Sequence, residues 1–147
     1  FGAAVTSPVR NARAGRYFRA GTARVIAMDR SRGKDGTGML KVMAFLVKRP
    51  GISSEELVDY YENHHVPLIL SLAPPPARYT RNYIQRDVNA EPRDDVDVVT
   101  ELEFADAGAY RAWVAVMYAP GSGVADDEAK FLDRSKTRGY TVIERTS

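Results

Sequence analysis

The chain has 147 residues, 44% hydrophobic and 27% charged, with no cysteine and a formal net charge of +2. That size and apolar content suit one domain with its own core and argue against intrinsic disorder, while the lack of cysteine excludes disulfide frameworks, thiolate zinc sites and cysteine nucleophiles. Two histidines, His64 and His65, are too few for a histidine-rich metal centre, and no apolar run approaches the ~20 residues that span a bilayer.

The charge is unevenly placed. Residues 1–38 hold eight basic and two acidic residues, whereas residues 39–147 hold 13 basic and 17 acidic ones. A mildly acidic body speaks against nucleic-acid binding, which needs a clustered basic surface to neutralise phosphates. The N-terminal arm is arginine-rich and poor in acids, the composition of an organellar transit peptide or of a leader ahead of Met39. Its last part, residues 30–38, has the Gly, Ser and charge content of a linker. The expected division is therefore a basic arm over 1–38 and one domain over 39–147. The expected location is cytoplasmic, or organellar if the arm acts as a targeting signal.

Leu40–Val47 is a short apolar run stopped by Pro50-Gly51, which reads as a strand. Both its faces are apolar, Val42, Ala44 and Leu46 on one and Met43, Phe45 and Val47 on the other, so it needs cover from two sides. Ser53 with Glu56 has the capping-box spacing and opens a helix. Leu57, Tyr60, Tyr61 and His64 follow at helical spacing, and Pro67 predicts an end at or before Val66. After the stiff Ala73–Pro76 connector, Arg78–Arg86 reads as a strand. Residues 87–96 read as a loop, and Asp97–Phe104 as a third strand with Val98, Thr100, Leu102 and Phe104 on one face. Asp106 caps a helix through about Met117, which Pro120–Gly123 breaks. Ala125–Arg134 reads as a short acidic helix burying Phe131 and Leu132, and Tyr140–Arg145 as a last strand.

Strand, helix, strand, strand, helix, strand is the ferredoxin-like βαββαβ plan: an α+β fold with a four-stranded antiparallel sheet and helices on one face. The uncovered face is half apolar and invites a second copy, so a homodimer is expected.

Lys48-Arg49-Pro50-Gly51-Ile52-Ser53-Ser54-Glu55-Glu56-Leu57, with Tyr60-Tyr61-Glu62-Asn63-His64-His65-Val66-Pro67-Leu68 after it, resembles the EthD family. Its pattern is a basic-Pro-Gly-hydroxyl turn, paired acids, an aromatic pair and then His-x-Pro-Leu. Asp127-Glu128-Ala129-Lys130-Phe131-Leu132-Asp133 is similar to that family's acidic Asp-Glu…Phe-x-Asp segment. The resemblance covers most of residues 40–145 and none of 1–38. It implies a dimeric α+β barrel and small-molecule chemistry, often on polyketides or other aromatics beside oxygenases.

Under that resemblance His65 takes the His-x-Pro position, at a helix end. Imidazole suits proton transfer near neutral pH, although a ring there can also simply cap carbonyls or pack on Pro67. His64, about 100° round the helix, shares a face with Leu57, Tyr60 and Tyr61 and so points to the sheet if that face is the core. Which ring enters a pocket stays open. Adjacent helical residues diverge and make a poor metal site; no metal and no cofactor is expected. Tyr61, Tyr79 and Tyr83 are candidates to stack on a flat substrate and bond its oxygens. Arg81, on the strand face of Tyr79 and Tyr83, would hold a carboxylate or enolate, or else form a surface ion pair. Glu101 and Glu103 read as a solvated or dimer-facing stripe, Asp126, Asp127, Glu128 and Asp133 as a solvated helix face, and Trp113 as core.

The expected function is cofactor-free, His-mediated proton transfer on an aromatic or polyketide-like molecule: dehydration, decarboxylation, cyclisation or isomerisation. Cofactor-independent oxygenation of an anthrone-type substrate, and non-catalytic ligand binding beside a partner oxygenase, are the rivals. The expected partners are a small molecule and a second copy of the chain, with neither nucleic acid nor membrane.

Overall fold

The computed structural model describes residues 38–86 and 96–147; nearly all of the basic arm and most of the loop expected over 87–96 lie outside the described residues. Four strands, β1 (Leu40–Leu46), β2 (Arg78–Tyr83), β3 (Val98–Phe104) and β4 (Arg138–Val142), form one sheet in the order β2-β3-β1-β4. Every neighbouring pair is antiparallel, with Ala44 opposite Thr100 on β3 and Gly139 on β4. This is the expected ferredoxin-like topology. β2 and β4 are shorter than the sequence reading, and β4 begins two residues earlier.

The alternation in β3 sets the layers. Val98, Thr100, Leu102 and Phe104 are buried toward the helices, while Val99, Glu101 and Glu103 line the other face. β1 follows the same period, with Val42 and Leu46 buried beneath the helices. On the uncovered face Lys41 lies 2.8 Å from Glu101 and also pairs with Glu144. Phe45 meets Tyr140 edge to face at 5.9 Å, and Ile143 beyond the strand end is 78% exposed.

Helix α1 (Ser54–Tyr60) starts where the capping box put it. Glu56 N–H donates to Ser53 Oγ at 3.0 Å, and Ser53 N–H donates to Glu56 Oε2 at 2.6 Å. Such a cap is worth about 1 kcal/mol. The predicted stop at Val66 is wrong. The helix passes through a π turn, Tyr61–His65, into α2 (Val66–Leu72), and Pro67 sits in the first turn of α2. In a regular helix the proline ring would collide with the carbonyl four residues back. The π turn widens the helix at that point, and Val66 N–H already reaches five residues back to Tyr61 O.

Asp106 accepts from Ala109 N–H at 2.8 Å and caps α3 (Ala107–Met117) as expected. The breaker after it places Gly121 and Gly123 at φ of 82° and 79°, where a side chain would be strained. The expected helix over Ala125–Arg134 is much shorter: α4 covers Val124–Glu128. Beyond it the chain turns to run beside the end of β1, with Arg49 N–H donating to Phe131 O and Asp133 N–H to Val47 O, both at 2.9 Å. Those backbone groups are therefore engaged outside the helix. Phe131 and Leu132 are buried all the same, in the cluster with Leu46, Leu57, Tyr61 and Val98. Among the described residues no helix is long and apolar enough to cross a membrane.

Candidate functional site

The buried stripe of the first helix is Leu57, Tyr61, His65 and Ile69, one residue in four. On a pure α-helix, three such steps drift about 120° round the axis. The π turn absorbs that drift and keeps all four side chains over the sheet. It thereby decides between the tandem histidines. His65 is buried, whereas His64 lies on the exposed side, stacked on the Tyr60 ring at 4.8 Å. The expectation that His64 faces the sheet with Leu57 and Tyr61 is corrected accordingly.

His65 is walled by Phe131, 5.0 Å between ring centres, and by Tyr61 at 5.3 Å. Its Nδ1 lies 2.8 Å from Asp127 Oδ2, and Tyr60 OH donates to Asp127 Oδ1 at 2.6 Å. Asp127, expected on a solvated face, is buried and belongs to this group. Burial works against its charge, but the bonds from Tyr60 and His65 outweigh that and lower its pKa. An ionised carboxylate only accepts, so Nδ1 carries the proton and Nε2 is the nitrogen left for a ligand. Tyr60, raised first by burial and then by its bond to Asp127, titrates only at about 12.

His65 and Tyr61 open onto a cavity of about 130 Å³ between sheet and helices, whose apolar wall includes Ile69, Leu102, Trp113 and Met117. Tyr61 OH is 2.8 Å from Thr100 Oγ1 on β3, and Tyr79 OH donates weakly to it at 3.4 Å. Burial raises both phenols, only partly opposed for Tyr61 by its hydrogen bonds to Thr100 and Tyr79. They stay protonated and serve as hydrogen-bond donors, not bases. Tyr79 also lines the cavity. Tyr83 and Arg81 do not: Arg81 grips Glu62 with Nε–Oε1 at 3.0 Å and Nη2–Oε2 at 2.7 Å, and Tyr83 OH donates to the same carboxylate at 2.6 Å. Arg81 lowers the Glu62 pKa most strongly, and its guanidinium stacks over Tyr79, 4.7 Å from the ring centre. The arginine anticipated for an enolate is thus spent on an internal ion pair. Its effect on the cavity runs through Tyr79.

The structure brings together His65, Tyr61 and Tyr79 of the anticipated set and adds Asp127, Tyr60 and Phe131. The Asp127–Phe131 segment stands out in the sequence as an acidic motif with one aromatic. Its partner, 62 residues away, leaves no local trace.

The acid limb of stability should carry the mark of this pair. A carboxylate whose pKa is lowered on folding contributes stability above its unfolded pKa and loses it as pH falls through the folded value. The gap in denaturant stability between the wild type and Asp127→Asn is expected to be full above about pH 5 and to shrink below about pH 4. A gap that widens on acidification would contradict the assignment.

A buried histidine–carboxylate pair beside an apolar, tyrosine-edged cavity on the helix side of a ferredoxin-like sheet defines a small α+β protein with a pocket between its sheet and helices. More particularly, the chain belongs to the EthD family, whose model, the EthD domain, matches residues 49–135. No curated protein matches the sequence. Among solved structures it is similar to an ethyl tert-butyl ether d (ethd) family protein from Bacillus halodurans, at 19% identity, TM-score 0.52, over 74% of this chain and 100% of that one. An ethd-like protein from Ralstonia eutropha matches at 23% identity and TM-score 0.51, over 75% and 97% of the two chains. A hypothetical Arabidopsis thaliana protein matches at 14% identity and TM-score 0.55, over 80% and 97%. These likenesses support the fold.

Proposed function

We propose that the protein is a cofactor-free enzyme in which His65 moves a proton to or from a small aromatic molecule held in the helix-side cavity, as a lyase or isomerase. The observation that carries this reading is the hydrogen bond of His65 Nδ1 to buried Asp127, with the ring walled by Phe131 and Tyr61. In that arrangement Asp127 holds the tautomer and stabilises the imidazolium formed when Nε2 accepts a proton. Tyr61, kept protonated, is placed on the adjacent turn to donate to a carbonyl or enolate oxygen as charge develops there. The cavity is near the volume of one that admits benzene, about 150 Å³. Monocyclic substrates therefore fit it better than fused polyketide rings or a tricyclic anthrone.

The two-sided apolar character of β1 and the uncovered row of Met43, Phe45 and Tyr140 support a homodimer joined through the open sheet face. The cavity lies on the opposite face, so each protomer carries its own site.

The test is proton exchange. Monocyclic aryl ketones incubated with the protein in D₂O are expected to gain deuterium beside the carbonyl in a His65-dependent manner, equally under air and argon. Exchange that survives in His65→Gln would overturn the reading, and products formed only under air would replace it with oxygenation.

A further inference from the structure

Proton transfer uses His65 and Tyr61 but leaves two charged wall residues of the cavity unexplained, Arg134 and Glu128. Arg134 Nε donates to Glu128 Oε2 at 3.0 Å, and Glu128 Oε1 accepts from Tyr118 OH at 2.8 Å. Both side chains are largely withdrawn from solvent, 24% and 14% exposed. Glu128 is thus engaged at both oxygens. Arg134, by contrast, has neither Nη1 nor Nη2 in a hydrogen bond or ion pair with any described residue. A guanidinium presents five donors in a planar fork, and the open edge of such a fork matches a carboxylate in two parallel bonds.

The surroundings make this more than a stray surface charge. Arg134 is the cation among the described residues that line the cavity. Arg81 is closed off by Glu62, and Lys41 is occupied by glutamates on the far face of the sheet. Two consecutive acids of α4 divide the work, Asp127 fixing His65 and Glu128 fixing Arg134. One short helix therefore orients both basic side chains of the cavity wall.

We propose that Arg134, oriented by Glu128, is the anion-binding group of this cavity, and that the ligand is a carboxylate about the size of one aromatic ring. The inference rests on the proton-transfer reading for which cavity is used, but not for its chemistry. Glu128 already offsets much of the local positive charge, so selectivity comes from directed hydrogen bonds more than from net attraction.

Calorimetric titration of the full chain with benzoate and with its neutral isostere benzamide tests this. Benzoate is expected to bind the wild type at least about tenfold more tightly, the order expected for charge-assisted bonds. Arg134→Gln should abolish that preference by weakening benzoate alone, and Arg134→Lys should retain part of it. Equal affinities in the wild type, no benzoate binding, or a preference that persists in Arg134→Gln would each overturn the proposal. The wild-type ratio decides even if a variant does not fold. His65→Gln separates the two readings: it should leave the benzoate preference in place while removing exchange, so loss of one result does not entail loss of the other.

Discussion

Replacing His65 by glutamine is expected to lower turnover by about 10²- to 10⁴-fold, the span associated with loss of a positioned general acid or base. Glutamine keeps a polar group near Asp127 and much of the ring volume, so the protein should remain folded. The informative control is the neighbouring residue. His64 is exposed and touches the Tyr60 ring, and His64→Gln should change stability by no more than about 0.5 kcal/mol and leave turnover intact. Steady-state rates and denaturant midpoints for the two variants form the measurement. Equal losses in both, or a greater loss in His64→Gln, would remove His65 from the reaction. Nitrogen chemical shifts of the two rings provide an independent check, with neutral His65 expected in the Nδ1–H tautomer.

The second large effect is expected at Phe131→Ala. Phe131 has no solvent exposure and meets three rings, those of Tyr60 and Tyr61 at 5.2 Å and that of His65 at 5.0 Å. Truncating a fully buried phenylalanine costs about 3–5 kcal/mol, through lost transfer energy and the cavity left behind. Here the void opens against the imidazole, so activity should fall beyond what the unfolded fraction explains. Phe131→Leu, which retains most of the apolar volume, should cost much less. Guanidinium melts analysed at constant m value measure both. A loss below about 1 kcal/mol for Phe131→Ala would show that the ring is not the wall described above.

The two predictions differ in how far the sequence alone reaches them. Burial of Phe131 follows from its place in an apolar pair after an acidic run, although the helix expected to carry it ends at Glu128. The choice between His64 and His65 could not be read from periodicity. A regular helix sets both His64 and His65, three and four residues beyond Tyr61, near that face, and the structure, with its π turn before Pro67, buries His65 and leaves His64 exposed. Arg81 likewise alternates correctly with Tyr79 and Tyr83. Alternation names a face, however, and not a partner, and Glu62 from the first helix takes the guanidinium.

By itself the sequence determined what depends on local physics. The helix caps and breakers, the period-two burial of β3, the order of elements and hence the ferredoxin-like sheet all arise from interactions within a few residues or from a repeating pattern. The tertiary structure alone decided what depends on groups distant in the chain: Asp127 against His65, Glu128 holding Arg134 at the cavity wall, and Glu62 closing Arg81. Charge–charge and hydrogen-bond partners act over a few ångströms in space and leave no period along the chain. An acidic residue that is solvated and one that holds a buried imidazole are thus written with the same letter.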